Sequence, residues 1–179
     1  MFNVLNHIHT LMQTNTELAS ALLLQYADML RYQLYRGKVE KVMLQEEIQF
    51  VQDFIEIEKL RWGKKVIVYT DWNIDNKSTE IPPLLLISFI ENAFKYASRT
   101  IDKAGFVKIV FRQQRTNISL EVENSKPIEV QQKLNKDNAS GIGLENTRQR
   151  LNLLYGENYH LDIQETETTY YSKLEIWQL

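Results

Sequence analysis

The chain has no cysteine among its 179 residues, which excludes disulfides, cysteine-ligated metal and thiol chemistry and fits a reducing compartment. Its charges nearly cancel, with a formal net charge of -2 at pH 7, so the polyelectrolyte signature of a nucleic-acid binder is missing. Long apolar runs are missing too. The longest, "IPPLLLISFI", holds two prolines and a serine and is about half the roughly 20 residues a bilayer-spanning helix needs. The opening "MFNVLNHIHT" lacks the basic and then strongly apolar order of a signal peptide. There is no low-complexity tract and no internal repeat. What is present, 44% hydrophobic and 25% charged residues, suffices for one large domain or a domain with an appendage.

The first 62 or so residues read as helix. "TNTE" fits a capping box, with Thr14 as N-cap and Glu17 reaching back to it. Behind it Ala19, Leu23, Ala27, Leu30 and Leu34 fall on one helical face, and Gly37 in "YRGK" ends the helix. A further helix turns Leu44, Ile48, Val51 and Ile55 inward, and less cleanly Phe54 and Leu60. Its acidic rim, Glu46, Glu47, Asp53, Glu56 and Glu58 with Lys59, is expected to stay wet. Together these make an antiparallel hairpin with little body of its own, and dimerisation through residues 1–62 is the expectation.

The character changes at "RWGKK". "KVIVYTDW" reads as a strand, "FVKIVFRQQRTNISLEVEN" as a hairpin turning near Gln114 to Asn117, and "YHLDIQE" and "YYSKLEIWQL" as two late strands. Two helices lie between them, at 84–97 and roughly 143–154. This order predicts an α/β fold, an α+β two-layer sandwich with helices on one face of a mixed sheet, over residues 63–179. The polar "SKPIEVQQKLNKDNAS" is too long for an ordinary connection, and such loops are functional or disordered.

"PPLLLISFIENAFKYA" carries the sharpest signal. Read as a helix started by its prolines, it turns Leu86, Phe89, Ile90, Ala93 and Ala97 inward, with Leu85, Ile87 and Phe94 broadening that face. One narrow line is left over: Ser88, Glu91, Asn92 and Lys95, at spacings of three and four. It must look at water or at a ligand. A solvated face with an ordinary Glu91–Lys95 pair satisfies the spacing, although Asn92 is a poor helix former. Further on, "SGIGLENTRQRL" opens a helix with Gly141 and Gly143. Such a start frees backbone amides for an anion, and it equally suits the end of a flexible loop.

These segments resemble a known family. "PPLLLISFIENAFKYA" is similar to the N box of the GHKL ATPases, and "SGIGLENTRQRLNLLYG" to their glycine-rich box and following helix. "FNVLNHIHTLMQTN", "LLQYADMLRYQLYRG" and "LQEEIQFVQDFIEIEKLRWGKKV" resemble the core of LytS-like sensor histidine kinases of two-component systems, and the likeness runs through nearly the whole chain in order. It implies ATP and Mg2+ as cofactors. Asn92 matches the asparagine that ligates magnesium, and Glu91 the general base or water-positioning glutamate. Lys95 and Tyr96 match positions flanking the phosphates, Gly141 and Gly143 would present amides to them, and residues from about 126 to 140 would form the ATP lid, expected to be mobile from its polar composition.

Two positions depart from the family pattern. Where an aspartate and two glycines form the first glycine box, "VENSKPI" puts Asn124, Lys126 and Ile128. Asn124 can accept the adenine amino group's hydrogen bond through its side-chain oxygen, without the charge. Losing the glycines stiffens the base of the lid. The family's phosphorylated histidine would fall two residues before Met1, and His7, His9 and His160 read as ordinary helix and strand residues.

The resemblance therefore implies a histidine kinase that transfers the γ-phosphoryl of ATP to a histidine and then to the aspartate of a response regulator, of the LytTR type in many relatives. As it stands the piece would bind ATP and pair as a homodimer without phosphorylating itself. It would form the cytoplasmic domain of a membrane protein, with no direct nucleic-acid contact. The alternative is a pseudokinase-like dimerising module with weak or no nucleotide binding. An ATP-hydrolysing machine of the chaperone or repair kind fits poorly with the helical hairpin ahead of the N box.

Overall fold

The computed structural model describes residues 2–76, 78–97, 104–126 and 139–177, without the side chains of residues 2, 3, 139–142 and 144. The chain folds as two units, Met1–Lys64 with Lys77–Ile87, and Lys65–Asn76 with Ser88–Leu179.

The first unit is helical. α1 (Phe2–Met12) is followed by α2 (Thr16–Tyr35), a short 3-10 turn, the two-residue strand β1 (Val42–Met43) and α3 (Leu44–Trp62). The N-cap of α2 is Asn15 and not Thr14: Asn15 Oδ1 accepts the Leu18 amide at 3.0 Å. Thr14 is engaged elsewhere, its hydroxyl donating to the Leu11 carbonyl at 3.4 Å and closing the end of α1. The buried face of α2 is Ala19, Leu22, Tyr26 and Met29. Of the stripe expected there, only Ala19 is inside; Leu30 is half-buried and Ala27 exposed, while Leu23 and Leu34 are 41% and 62% exposed. α2 is apolar on more than one face, so periodicity alone selects the wrong one.

In α3 the expected Leu44, Ile48, Val51 and Ile55 are buried, together with Phe50 and Ile57. Phe54 is only half-buried and Leu60 exposed, because the inner face runs through Phe50 and Ile57 instead. Two members of the expected wet rim are also inside, Glu47 and Glu58. Glu58 accepts from Arg61 Nε at 3.0 Å and Trp62 Nε1 at 3.2 Å, and the Arg61 guanidinium lies 4.7 Å from the Trp62 ring centroid. A carboxylate satisfied in this way tolerates burial. Glu47 is treated below. A second short strand, β3 (Glu80–Ile81), pairs antiparallel with β1. The turn after it carries Leu84 at φ 58°, where a leucine costs about 1–2 kcal/mol. That turn is the reason α4 (Ile87–Tyr96) starts three residues later than the prolines predict.

The second unit is a five-stranded mixed sheet. Its strands are β2 (Val66–Ile74), β4 (Gly105–Gln114), β5 (Asn117–Ser125), β6 (Tyr159–Glu165) and β7 (Thr169–Ile176), in the order β2-β4-β5-β7-β6. β2 and β4 are parallel and every other pair is antiparallel. The hairpin turns at Arg115 and Thr116, inside the expected bounds. Period-two alternation selects one face for the core: Val107, Ile109 and Phe111 from β4, Ile118, Leu120 and Val122 from β5, Leu174 and Ile176 from β7. Phe89, Ile90, Ala93 and Phe94 of α4 and Leu151 of α5 (Ala139–Tyr155) are buried as well. The architecture is the α+β sandwich with a mixed sheet and preceding helices that the sequence predicts.

Candidate functional site

α4 has the division of faces that its sequence demands. Ile87, Phe89, Ile90, Ala93 and Phe94 are buried, while Ser88 and Asn92 are half-exposed and Glu91, Lys95 and Tyr96 exposed. A line of hydroxyl, carboxylate, carboxamide and ammonium groups thus runs along an otherwise apolar helix. The Lys95 ammonium lies over the neighbouring Tyr96 ring, 4.8 Å from its centroid, which keeps the cation close to the last turn of α4.

Asn124 has the opposite setting. It stands on β5 in the alternation that turns Ile118, Leu120 and Val122 inward, and it is 1% exposed. Its Nδ2 donates to the Ser125 carbonyl at 3.0 Å, so Oδ1 is its acceptor end. In cross-strand register it lies between Val107 of β4 and Tyr170 of β7. Residues directly opposite in an antiparallel ladder share a face, so Tyr170 stands beside Asn124. Burial raises the pKa of the Tyr170 hydroxyl, Glu165 adds to this, the Arg148 charge opposes it, and Tyr96 raises it further. Arg148 of α5 and Tyr96 of α4 are therefore each within electrostatic reach of Tyr170 on β7, at the end of the sheet where Asn124 lies.

Tyr170 and Arg148 are members of this constellation that sequence reading missed. Tyr170 was within reach of strand parity, since pairing β5 with β7 sets it opposite Asn124. Arg148 stands two helical turns beyond Gly141, a spacing too common to single it out.

α5 begins at Ala139, ahead of both glycines. Roughly the first four amides of an α-helix have no partner within it. Gly141 falls among these, and Gly143, the fifth residue, has its carbonyl accepting from the Thr147 hydroxyl at 2.9 Å. Gly141 thus lies in the first turn of the helix and Gly143 just behind it, so the helix begins a few residues earlier than expected. Ile128 and residues 127–138 of the expected lid lie outside the described residues. Lys126 is described, and its ammonium pairs with Glu165 and donates to the Thr166 carbonyl at 3.1 Å. His7 is half-buried and His9 exposed on α1, and His160 is exposed on β6.

The donor set fits a hard cation only in part. Among the described residues no group of three or more His, Cys, Asp or Glu side chains can cage a metal. Mg2+ asks for less, since it is held by one or two protein oxygens together with substrate phosphates. The half-exposed Asn92 beside the Glu91 carboxylate supplies oxygens of that kind. Two open clefts lie elsewhere, one of about 420 Å³ lined by Asp28, Tyr32, Phe50 and Asp53, and one of about 400 Å³ near Arg112, Asn117 and Trp177. Among the described residues no helix is long and apolar enough to cross a membrane.

Residues 1–66 match a family model described as histidine kinase. The chain is 30% identical over 180 residues to the sensor histidine kinase YpdA of Escherichia coli (strain K12), covering 96% of this chain and 31% of that protein. The sensor protein LytS of Staphylococcus haemolyticus (strain JCSC1435) is 26% identical over 174 residues, 93% of this chain and 30% of its own. The chain thus spans about three-tenths of the length of the curated relatives it matches. Among solved structures, the catalytic domain of the histidine kinase ThkA superposes with a TM-score of 0.51 at 21% identity, covering 76% of this chain and 93% of that one, a likeness of fold. The family match over the helices and the relatives matched along nearly the whole of this chain identify it as a LytS-like histidine kinase catalytic region.

Proposed function

We propose that the α4 stripe, Asn124 and the open end of α5 bind Mg-ATP, and that the intact protein passes the γ-phosphoryl to a histidine and then to a response-regulator aspartate. The observation that carries this reading is the wet polar line on α4, on a helix whose apolar residues are all buried. Asn92 Oδ1 would ligate magnesium, which when bound neutralises charge on the phosphate oxygens. Lys95 would offer a point charge beside the phosphates. Gly141 and Gly143 would present backbone amides at the start of the helix, with Tyr96 flanking the phosphates. Asn124 Oδ1 would accept from the adenine amino group. When an imidazole nitrogen attacks the γ-phosphorus, the bond to the ADP oxygen breaks and the imidazole proton goes to Glu91.

The exposed face of α2 supports a homodimer through residues 1–62, and the response regulator, of the LytTR type, would be the partner that contacts DNA. The chain would lie on the cytoplasmic side of a membrane protein, as the resemblance implies.

One observation favours the alternative, a dimerising module with weak nucleotide binding. Lys126, at the base of the expected lid, is engaged by Glu165 and Thr166. Calorimetric titration of ATP with and without Mg2+, beside Asn92→Ala, decides between them. Metal-dependent binding lost in Asn92→Ala is the expected result; no binding at millimolar nucleotide would leave the dimerising module. Phosphotransfer would then be followed in the intact protein.

A further inference from the structure

Glu47 is fully buried in the helical unit, and its carboxylate accepts from one stretch of backbone and one tyrosine hydroxyl. Oε2 accepts the Leu84 amide at 2.9 Å and the Tyr32 hydroxyl at 2.8 Å, and Oε1 accepts the Leu86 amide at 3.3 Å. Leu86 immediately precedes Ile87, where α4 begins. The carboxylate therefore holds the turn that leads into the helix bearing the polar stripe, at the end of that helix where negative charge is favoured.

Two further contacts show that the turn is constrained from several sides. Leu84 sits at φ 58°, a conformation that persists only where the surroundings over-determine it. A Cβ placed on Gly37, just past α2, would stand 3.0 Å from Leu84 Cδ1, so this glycine lets the leucine side chain lie against it. Tyr32, on α2, is itself fixed by stacking on Phe50 of α3, with ring centroids 4.5 Å apart and 17° between planes. One carboxylate thus joins three segments: α2 through Tyr32, its own helix α3, and the lead into α4.

We propose that Glu47 is a positioning residue for the stripe, fixing the turn at 83–86 so that Ser88, Glu91, Asn92 and Lys95 are presented at the rotation nucleotide requires, with Tyr32 making that hold sensitive to α2. The inference rests on the nucleotide reading above. It gives α2 a route to the site: a shift that withdraws the Tyr32 hydroxyl loosens one bond on Oε2, and the turn loses part of its hold without any change in the stripe.

The test compares Glu47→Gln and Tyr32→Phe with the unaltered protein and with Glu56→Gln, an exposed control on the same helix. Amide hydrogen exchange at residues 84–86 and Mg-dependent ATP affinity are both read. Glu47→Gln keeps the shape and loses one acceptor, so exchange at 84–86 should quicken roughly tenfold, as for loss of a charge-assisted hydrogen bond. ATP affinity should weaken in parallel, Tyr32→Phe should shift both less, and amides 107–111 of the sheet should keep their protection. Unchanged exchange at 84–86 overturns the proposal. So does faster exchange with unchanged affinity, which would make Glu47 structural only. If Glu47→Gln does not fold, Tyr32→Phe is read by the same two measures. Failure of the unaltered protein to bind ATP removes the nucleotide reading and this inference with it, whereas loss confined to the variants does not touch that reading.

Discussion

In the sheet unit, the residues of β4 and β5 that face the helices are all buried, whereas α2 in the helical unit leaves Leu23, Leu24 and Leu34 at 41%, 66% and 62% exposure. The same helical unit hides two carboxylates, Glu47 and Glu58, while the polar groups buried in the sheet are neutral: Gln113, Asn124 and Ser172. A sheet closed on one face by its own helices can sort its residues by parity. A set of three helices cannot cover every apolar face they carry, and α2 shows the remainder. The difference separates two strands sorted by parity from a helix with apolar side chains left on its outer face.

The sharpest way to break that contrast is to remove matched apolar bulk from both units. Phe111 is fully buried at the centre of the sheet, beside Trp72 with ring centroids 5.8 Å apart. Phe111→Ala is expected to cost about 3–5 kcal/mol, read as a large fall in the urea midpoint. Leu24→Ala is expected to stay within about 0.5 kcal/mol. Equal losses would show that α2 is covered in solution.

Covering by a second copy is the next test. Replacing Leu23 and Leu34 together by Glu puts two charges on the exposed face of α2. Sedimentation should then show a monomer at concentrations where the unaltered protein is a dimer, and the melting temperature should lose its dependence on protein concentration. A unaltered protein that is monomeric throughout would assign that face to some other partner.

The same contrast explains what was legible in the sequence. Strand positions, the hairpin at Arg115 and Thr116 and the wet line on α4 followed from alternation and spacing, because each element there has one face inside and one outside. The helical unit was less legible. Leu23 and Leu34 sit at good helical spacing, and only the packing of α1 and α3 shows that Leu22, Tyr26 and Met29 were chosen instead. Glu47 read as a rim residue because nothing local marks a carboxylate whose partners, the Leu84 and Leu86 amides, lie 37 and 39 residues away. Of the candidate site, the stripe was visible in one helix. Tyr170 became visible only through its register with Asn124.

A smaller effect separates the buried charge of the helices from the sheet. Burial raises the pKa of Glu47 above its ordinary value of 4.5, opposed by the hydrogen bonds from the Leu84 amide, the Tyr32 hydroxyl and the Leu86 and Leu85 amides. A folded-state value above the unfolded one means that Glu47 contributes stability fully present below the unfolded pKa and lost as pH rises through the folded pKa. The urea midpoint of the unaltered protein should therefore fall relative to that of Glu47→Gln as pH is raised from about 4. A difference that stays level, or moves the other way, would mean that the hydrogen bonds outweigh burial.

The smallest expected effect compares the two leucine- and arginine-borne strains. Among the described residues outside glycine, only Leu84 at φ 58° and Arg115 at φ 53° have positive φ, one in each unit. Arg115 opens a two-residue hairpin loop, where glycine adopts such a φ without steric cost. The structure's hold on that turn comes through its backbone: Gln113 Nε2 donates to the Arg115 carbonyl at 2.6 Å, and Gln113 Oε1 accepts the Asn76 amide at 2.7 Å. Arg115→Gly leaves both bonds in place, so relief of the strain should raise stability by up to about 1 kcal/mol. Leu84→Gly relieves a similar strain but gives up the side chain lying against Gly37, and it should gain nothing. If Leu84→Gly proved as stabilising as Arg115→Gly, the turn before α4 would be held by Glu47 alone, and the packing of Leu84 would add nothing to it.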